Sequence, residues 1–111
     1  MVRVKQSARD RIKAAQDRPQ EIVKVPELDV VLYVRGMSAA DVMGLGSAAE
    51  NPEAFAKTLL SLALHDEEGN RVYPTPEDAE ELMSKSFPIV QRLLMAARRV
   101  NGIDGEELKK D

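Results

Sequence analysis

The sequence predicts an α+β fold: a mostly helical small domain with an N-terminal β-hairpin or small antiparallel sheet. Three observations carry this. Apolar residues recur at helical spacing through Ser86–Gly102, with Ile89, Val90, Leu93, Leu94, Ala97 and Val100 on one face. β-Branched residues dominate Ile22–Val34 instead, broken by a turn-like Pro26-Glu27-Leu28-Asp29. Several helix-start signals, each a Ser, Thr or Asn with a carboxylate or proline just behind it, divide the remainder into short pieces.

Taken in order, Ser7–Arg18 predicts a helix capped by Ser7 and ended by Pro19, with Ile12 its only large apolar residue. It has little to bury, so we expect it to be frayed or ordered by a neighbour. Glu21–Arg35 predicts a hairpin or two short strands, which need helices, a third strand or another copy to be stable. Ser38–Asp41 opens a short helix to about Leu45, and Gly46–Glu50 reads as a mobile link. Asn51-Pro52 starts a helix reaching His65, followed by an acidic turn at Asp66–Asn70. Arg71–Tyr73 is long enough only for an edge strand or extended link. Thr75–Asp78 caps a helix running to about Ser84, with Ala79, Leu82 and Met83 available for burial. The last helix is roughly 20 Å long; Ser86 caps it, Pro88 sits in its first turn, and Asn101-Gly102 stops it. Ile103 is placed to fold back on the core, Asp104–Leu108 to make one more turn, and the final residues to fray. The domain reading is therefore a basic N-terminal arm over 1–20, partly helical or flexible, a domain over 21–108 and a frayed end over 109–111.

Composition narrows the function. Hydrophobic residues fill 43% of the 111 positions and aromatics only 4%, without Trp, so the core is aliphatic. Without Cys there is no disulfide framework, thiolate nucleophile or thiolate zinc site. No apolar run approaches the roughly 20 residues needed to cross a bilayer, and no secretory leader is apparent. A soluble cytoplasmic protein is expected. Charge is unevenly placed. Residues 1–19 hold six basic side chains against two acidic ones, a surplus of four, and the total of −3 leaves −7 for residues 20–111. A basic arm without aromatics for base stacking is more economically a solvated arm or a tether to the acidic body than a nucleic-acid site.

No catalytic set is present. The spacing of Gly44 and Gly46 matches neither a phosphate loop nor a dinucleotide fingerprint. Asp66-Glu67-Glu68 lacks the alternating ligands of a calcium loop, and His65 is the only histidine. Neither enzymatic activity, nor a metal, nor a cofactor is expected.

Three stretches, in order, resemble tail assembly chaperones of long-tailed bacteriophages. The first is Val25-Pro26-Glu27, then Val31–Arg35 and Gly36-Met37-Ser38. The second is Leu62-Ala63-Leu64 leading into Asp66-Glu67-Glu68-Gly69. The third is Thr75–Asp78 followed by Arg92-Leu93 and Ala96–Gly102. The resemblance covers roughly residues 22–108. It departs where relatives often carry an aromatic and a glycine after Pro-Glu, since Leu28 and Asp29 stand there. The resemblance implies a non-enzymatic protein of the host cytoplasm, absent from the mature virion. Such a protein binds the tail tape-measure protein, keeps it soluble and helps recruit the tail-tube protein. It forms homo-oligomers and often exists as a short form and a frameshifted longer one, this chain corresponding to the short form.

A physical account fits that role. A long helical partner exposes apolar stripes, and an apolar groove with a charged rim covers them. The helices predicted over 51–65 and 86–100 can supply it, with Phe55, Leu59, Leu62, Met83, Leu94 and Met95 as candidate contacts, or as core. Alternatives are a small nucleic-acid-binding regulator using the arm, and a structural tail subunit. Strongly salt-dependent DNA binding marks the first, and retention in purified particles the second.

Overall fold

The computed structural model describes residues 7–48 and 50–103. The expectations for 104–108 and 109–111 lie outside the described residues. The chain is α+β: helices α1 (Ala8–Ala14), α2 (Ala39–Gly44), α3 (Pro52–Ala63), α4 (Glu80–Met83) and α5 (Phe87–Val100), with strands β1 (Gln20–Val25), β2 (Val30–Arg35) and β3 (Leu64–His65).

The strands form one antiparallel sheet in the order β1-β2-β3. β1 and β2 make the predicted hairpin, with Val23 opposite Leu32 and Val25 opposite Val30. A single 3-10 turn over Pro26–Leu28 joins them, closed by Asp29 in the left-handed region at φ 55°, where Asp is better tolerated than most residues. Alternation sends Val23, Val25, Leu32 and Val34 into the core and leaves Ile22, Lys24 and Val31 exposed on the other face. Gly36 N–H donates to the Pro19 carbonyl at 2.8 Å. With antiparallel bonding alternating along the ladder, the backbone groups of Gln20, Ile22 and Lys24 point to the open side of β1. Pro26, which lacks an N–H, ends that edge at the hairpin turn, whereas Pro19 faces β2.

α5 lies across the inner face of β1 and β2 and against α3. Ile89, Val90, Leu93, Ala96 and Ala97 are buried at this junction with Leu59, Leu60 and Leu64. Ile103 joins the core as expected, its N–H bonded to the Arg98 carbonyl at 2.8 Å after Gly102 turns the chain at φ 68°. Asn101 accepts a hydrogen bond from Met37 N–H and donates to the Ala97 carbonyl at 2.8 Å, pinning the end of α5 to the exit of β2.

Several expectations need correction. α3 ends at Ala63, because Leu64 turns extended and pairs with Val34, while His65 pairs with Tyr33. Cross-strand pairing outweighs the apolar periodicity that carries the helical pattern onward. α1 stops at Ala14, four residues before the predicted end, and buries none of its residues. Thr75 and Asp78 do form the reciprocal cap, Asp78 N–H donating to Thr75 Oγ1 and Thr75 N–H to Asp78 Oδ2, each at 3.2 Å. Yet 75–79 winds as successive three-residue turns, and only Glu80–Met83 is α-helical. Leu45–Ala48 is a 3-10 turn that runs from the predicted helix end into the stretch predicted as a link, with Leu45 buried. Ser7, Ser38 and Asn51 cap their helices through their side chains, whereas Ser86 does not. At Ser86 the second helical position is Pro88, which has no N–H to offer, and Ile89 N–H bonds the Ser86 carbonyl instead.

Candidate partner-binding surface

α5 has two outward stripes. Arg92, Met95 and Arg99 follow one another at i, i+3 and i+7, and Phe87, Gln91, Leu94 and Arg98 occupy the adjoining one. Both arginines of the first stripe are tied to the hairpin. Arg92 holds Glu27 through both carboxylate oxygens, at 3.1 and 2.8 Å, and Arg99 holds Glu21 at 3.3 and 2.7 Å. The bidentate bond from Arg92 keeps the Glu27 carboxyl lowered to about 2. Met95 stands between the two clamps, 50% exposed. On the second stripe Phe87 is 70% exposed, Leu94 is half-buried, and the Arg98 guanidinium lies 5.9 Å from the ring centroid of Phe55 on α3. Arg98 Nε is buried without a hydrogen-bond partner among the described residues.

The six predicted contact residues are thus distributed unevenly. Leu59 is fully buried and Phe55 nearly so, at the α3–α5 junction. Met83 and Leu94 are half-buried against the core, and Met95 is open. Leu62 shares α3's stripe with Phe55 at i, i+7, but at the far end of the helix, where it lines a cleft beside Arg35, His65 and Arg71. Sequence reasoning missed Phe87, which falls outside the apolar arc of α5; that displacement was the available signal. It also missed Ile22 and Val31, 56% and 45% exposed on the outer face of the sheet. Their positions one residue from buried neighbours of the opposite face are readable only once β1 and β2 are placed in register.

Two charged regions flank these surfaces. Glu77, Asp78, Glu80 and Glu81 surround Tyr73, whose phenol is pushed up by burial and by Glu81. On the other side, burial, then the neighbouring Arg35 and Arg71, lower the His65 pKa against the bond its Nδ1 makes with the Ala63 carbonyl at 3.0 Å. Among the described residues no group of three or more His, Asp or Glu is placed to hold a metal ion. No described helix is long and apolar enough to cross a membrane.

No family model matches the chain, and no curated protein matches it in sequence. Its structure is similar to the tail assembly chaperone of bacteriophage HK97, with a TM-score of 0.62 over 82% of this chain and 94% of that chain, at 20% sequence identity.

Proposed function

We propose that the chain is a phage tail assembly chaperone, a binding protein and not an enzyme. It holds the tape-measure protein in solution before the tube encloses it, and helps bring tail-tube subunits to it. It acts in the host cytoplasm and is not retained in the virion. The observation that carries this reading is the fold shared with the HK97 chaperone across nearly that protein's whole length, in keeping with the family resemblance of the three sequence stretches.

The contact surface in this proposal is the outer side of α5. Met95, Leu94 and Phe87 offer apolar area, with Met83 on α4 extending it and Leu62 a separate contact at the far end of α3. Methionine adapts to irregular partner helices. Phe55 and Leu59 support it from beneath. Copies of the chain associate through the open edge of β1, so that several engage one long partner and gain avidity.

The test is co-expression with the long helical tape-measure protein of the same phage, followed by affinity capture and light scattering. A soluble complex with several copies per partner is the expected outcome. The double variant Phe87→Gln and Met95→Gln should fold normally yet capture the partner at least about tenfold less well, as expected for loss of central apolar anchors. A partner that stays insoluble while this chain elutes alone removes the proposal.

A further inference from the structure

The cleft beside β3 shares only Leu62 with the chaperone reading. It has a volume of about 650 Å³ and is walled by the end of β2, the connection before β1, α2 and the strand-like Arg71. Arg35 and Arg71 both face it, and in each, one of the five guanidinium N–H groups is already assigned to holding it still. Arg35 Nε donates to Gln20 Oε1 at 2.9 Å, across the ladder from its register partner. Arg71 Nε donates to the Ser61 carbonyl at 2.8 Å, at the unsatisfied C-terminal end of α3. In each guanidinium the two terminal nitrogens remain, and neither arginine forms an ion pair among the described residues. Gly69 has no side chain and a φ of 88°, which lets the Arg35 guanidinium lie against the turn; a Cβ there would be 3.4 Å from one of its terminal nitrogens.

The acid that follows His65 is already occupied. Asp66 Oδ1 accepts from the N–H groups of Glu68 and Asn70, each at 2.9 Å, which shapes the turn. His65 bridges to Arg71 in the ladder, and its Nδ1 is used on Ala63. Met37 and Leu62, both half-buried, give the cleft an apolar wall. Two anchored forks that form no ion pair among the described residues, set beside aliphatic surface, fit a carboxylate on an apolar stem.

We propose that this cleft binds an acidic protein segment, with Arg35 and Arg71 holding its carboxylates and Met37 and Leu62 receiving its methylene or aliphatic groups. A nucleic-acid strand fits less well. Asp17 and Asp41 interrupt the cationic wall, and Glu67 and Glu68 follow close behind His65 in sequence, so a continuous phosphate chain meets repulsion as well as attraction. The site does not depend on the chaperone reading, because it is argued from the arginines and the cleft alone.

The experiment is fluorescence anisotropy on the full chain with a short labelled peptide alternating Glu and Leu. The same peptide with Gln for Glu, and a single-stranded oligonucleotide, serve as comparators. The Glu peptide should bind, and Arg35→Gln or Arg71→Gln should each weaken it about tenfold, the loss expected for one charge-assisted pair. Arg71→Gln also removes a helix cap, so Arg35→Lys is the second variant: it keeps the charge, loses the fork and should fall between wild type and Arg35→Gln. Amide shifts on titration should map to Gly36, Met37, Leu62 and His65. Equal binding of the Gln peptide, tighter binding of the oligonucleotide, or unchanged affinity in folded Arg35→Gln would overturn the proposal.

Discussion

Gly36 is buried where β2 ends, and its role is steric. A Cβ at this position would stand 2.9 Å from Pro19 Cδ and 3.3 Å from Cγ. The Pro19 ring cannot swing aside, because the Pro19 carbonyl is bonded to the Gly36 N–H. Gly36→Ala should therefore cost about 1–3 kcal/mol, the range for overpacking, read as a lower urea midpoint at unchanged slope. Glu27 gives a pH signature. Its carboxyl titrates lower in the folded chain, at about 2, than its ordinary 4.5, so its contribution is complete above the unfolded value and is lost as pH falls through the folded one. Glu27→Gln should flatten the decline in stability between about pH 5 and pH 2. The difference should shrink in high salt, since both partners are exposed at 40% and 46%. Neither residue's role is visible in the linear sequence. Glu27 is 65 positions from Arg92, and Gly36 looks like any strand breaker until Pro19 is placed over it.

Among the elements, α5 separates burial from binding. Leu93 is fully enclosed between the sheet and α3, so Leu93→Ala should cost about 2–5 kcal/mol. Met95 lies two residues along and faces water, so Met95→Gln should change stability by less than about 0.5 kcal/mol. Thermal or urea melts of the two variants check this division. α5 and the hairpin were legible because each carries a strong local pattern: a broad apolar arc in one, β-branched runs around Pro26–Asp29 in the other. β3 was not. Two residues carry no period, and Leu64 continues the apolar series of α3 until Val34 draws it into the sheet. The Thr75–Asp78 cap was read correctly as an interaction, but the helix it introduces is largely turn, because capping starts a helix without supplying the apolar face that propagates one. Of the candidate surface, the sequence placed Met95 and Leu94 on α5. It could not tell Leu59 and Phe55, which lie inside, from residues that reach the surface, since apolar spacing is the same for both.

Across the whole molecule, stability is graded from the sheet outward. α1 spans seven residues, buries none, and leaves Ile12 76% exposed, whereas β2 is bonded on both sides and covered by α5 and α3. Amide exchange should follow that order, with α1 exchanging at close to the free-peptide rate and Leu32, Val34 and Leu93 exchanging only on global unfolding. Comparable protection in α1 and β2 would show that a neighbour covers α1. The sheet ends on its other side at β1, whose outward backbone groups lie between Pro19 and Pro26. The Pro26 ring acts as a stop on a ruler. A strand laid along this edge finds about 20 Å of pairing length, and at the hairpin end it meets a residue with no proton to give. Lys24 projects from the exposed face of that strand, where a stacked sheet would have to desolvate its charge. The edge therefore admits one short visitor and discourages the open-ended stacking that turns exposed strands into fibrils.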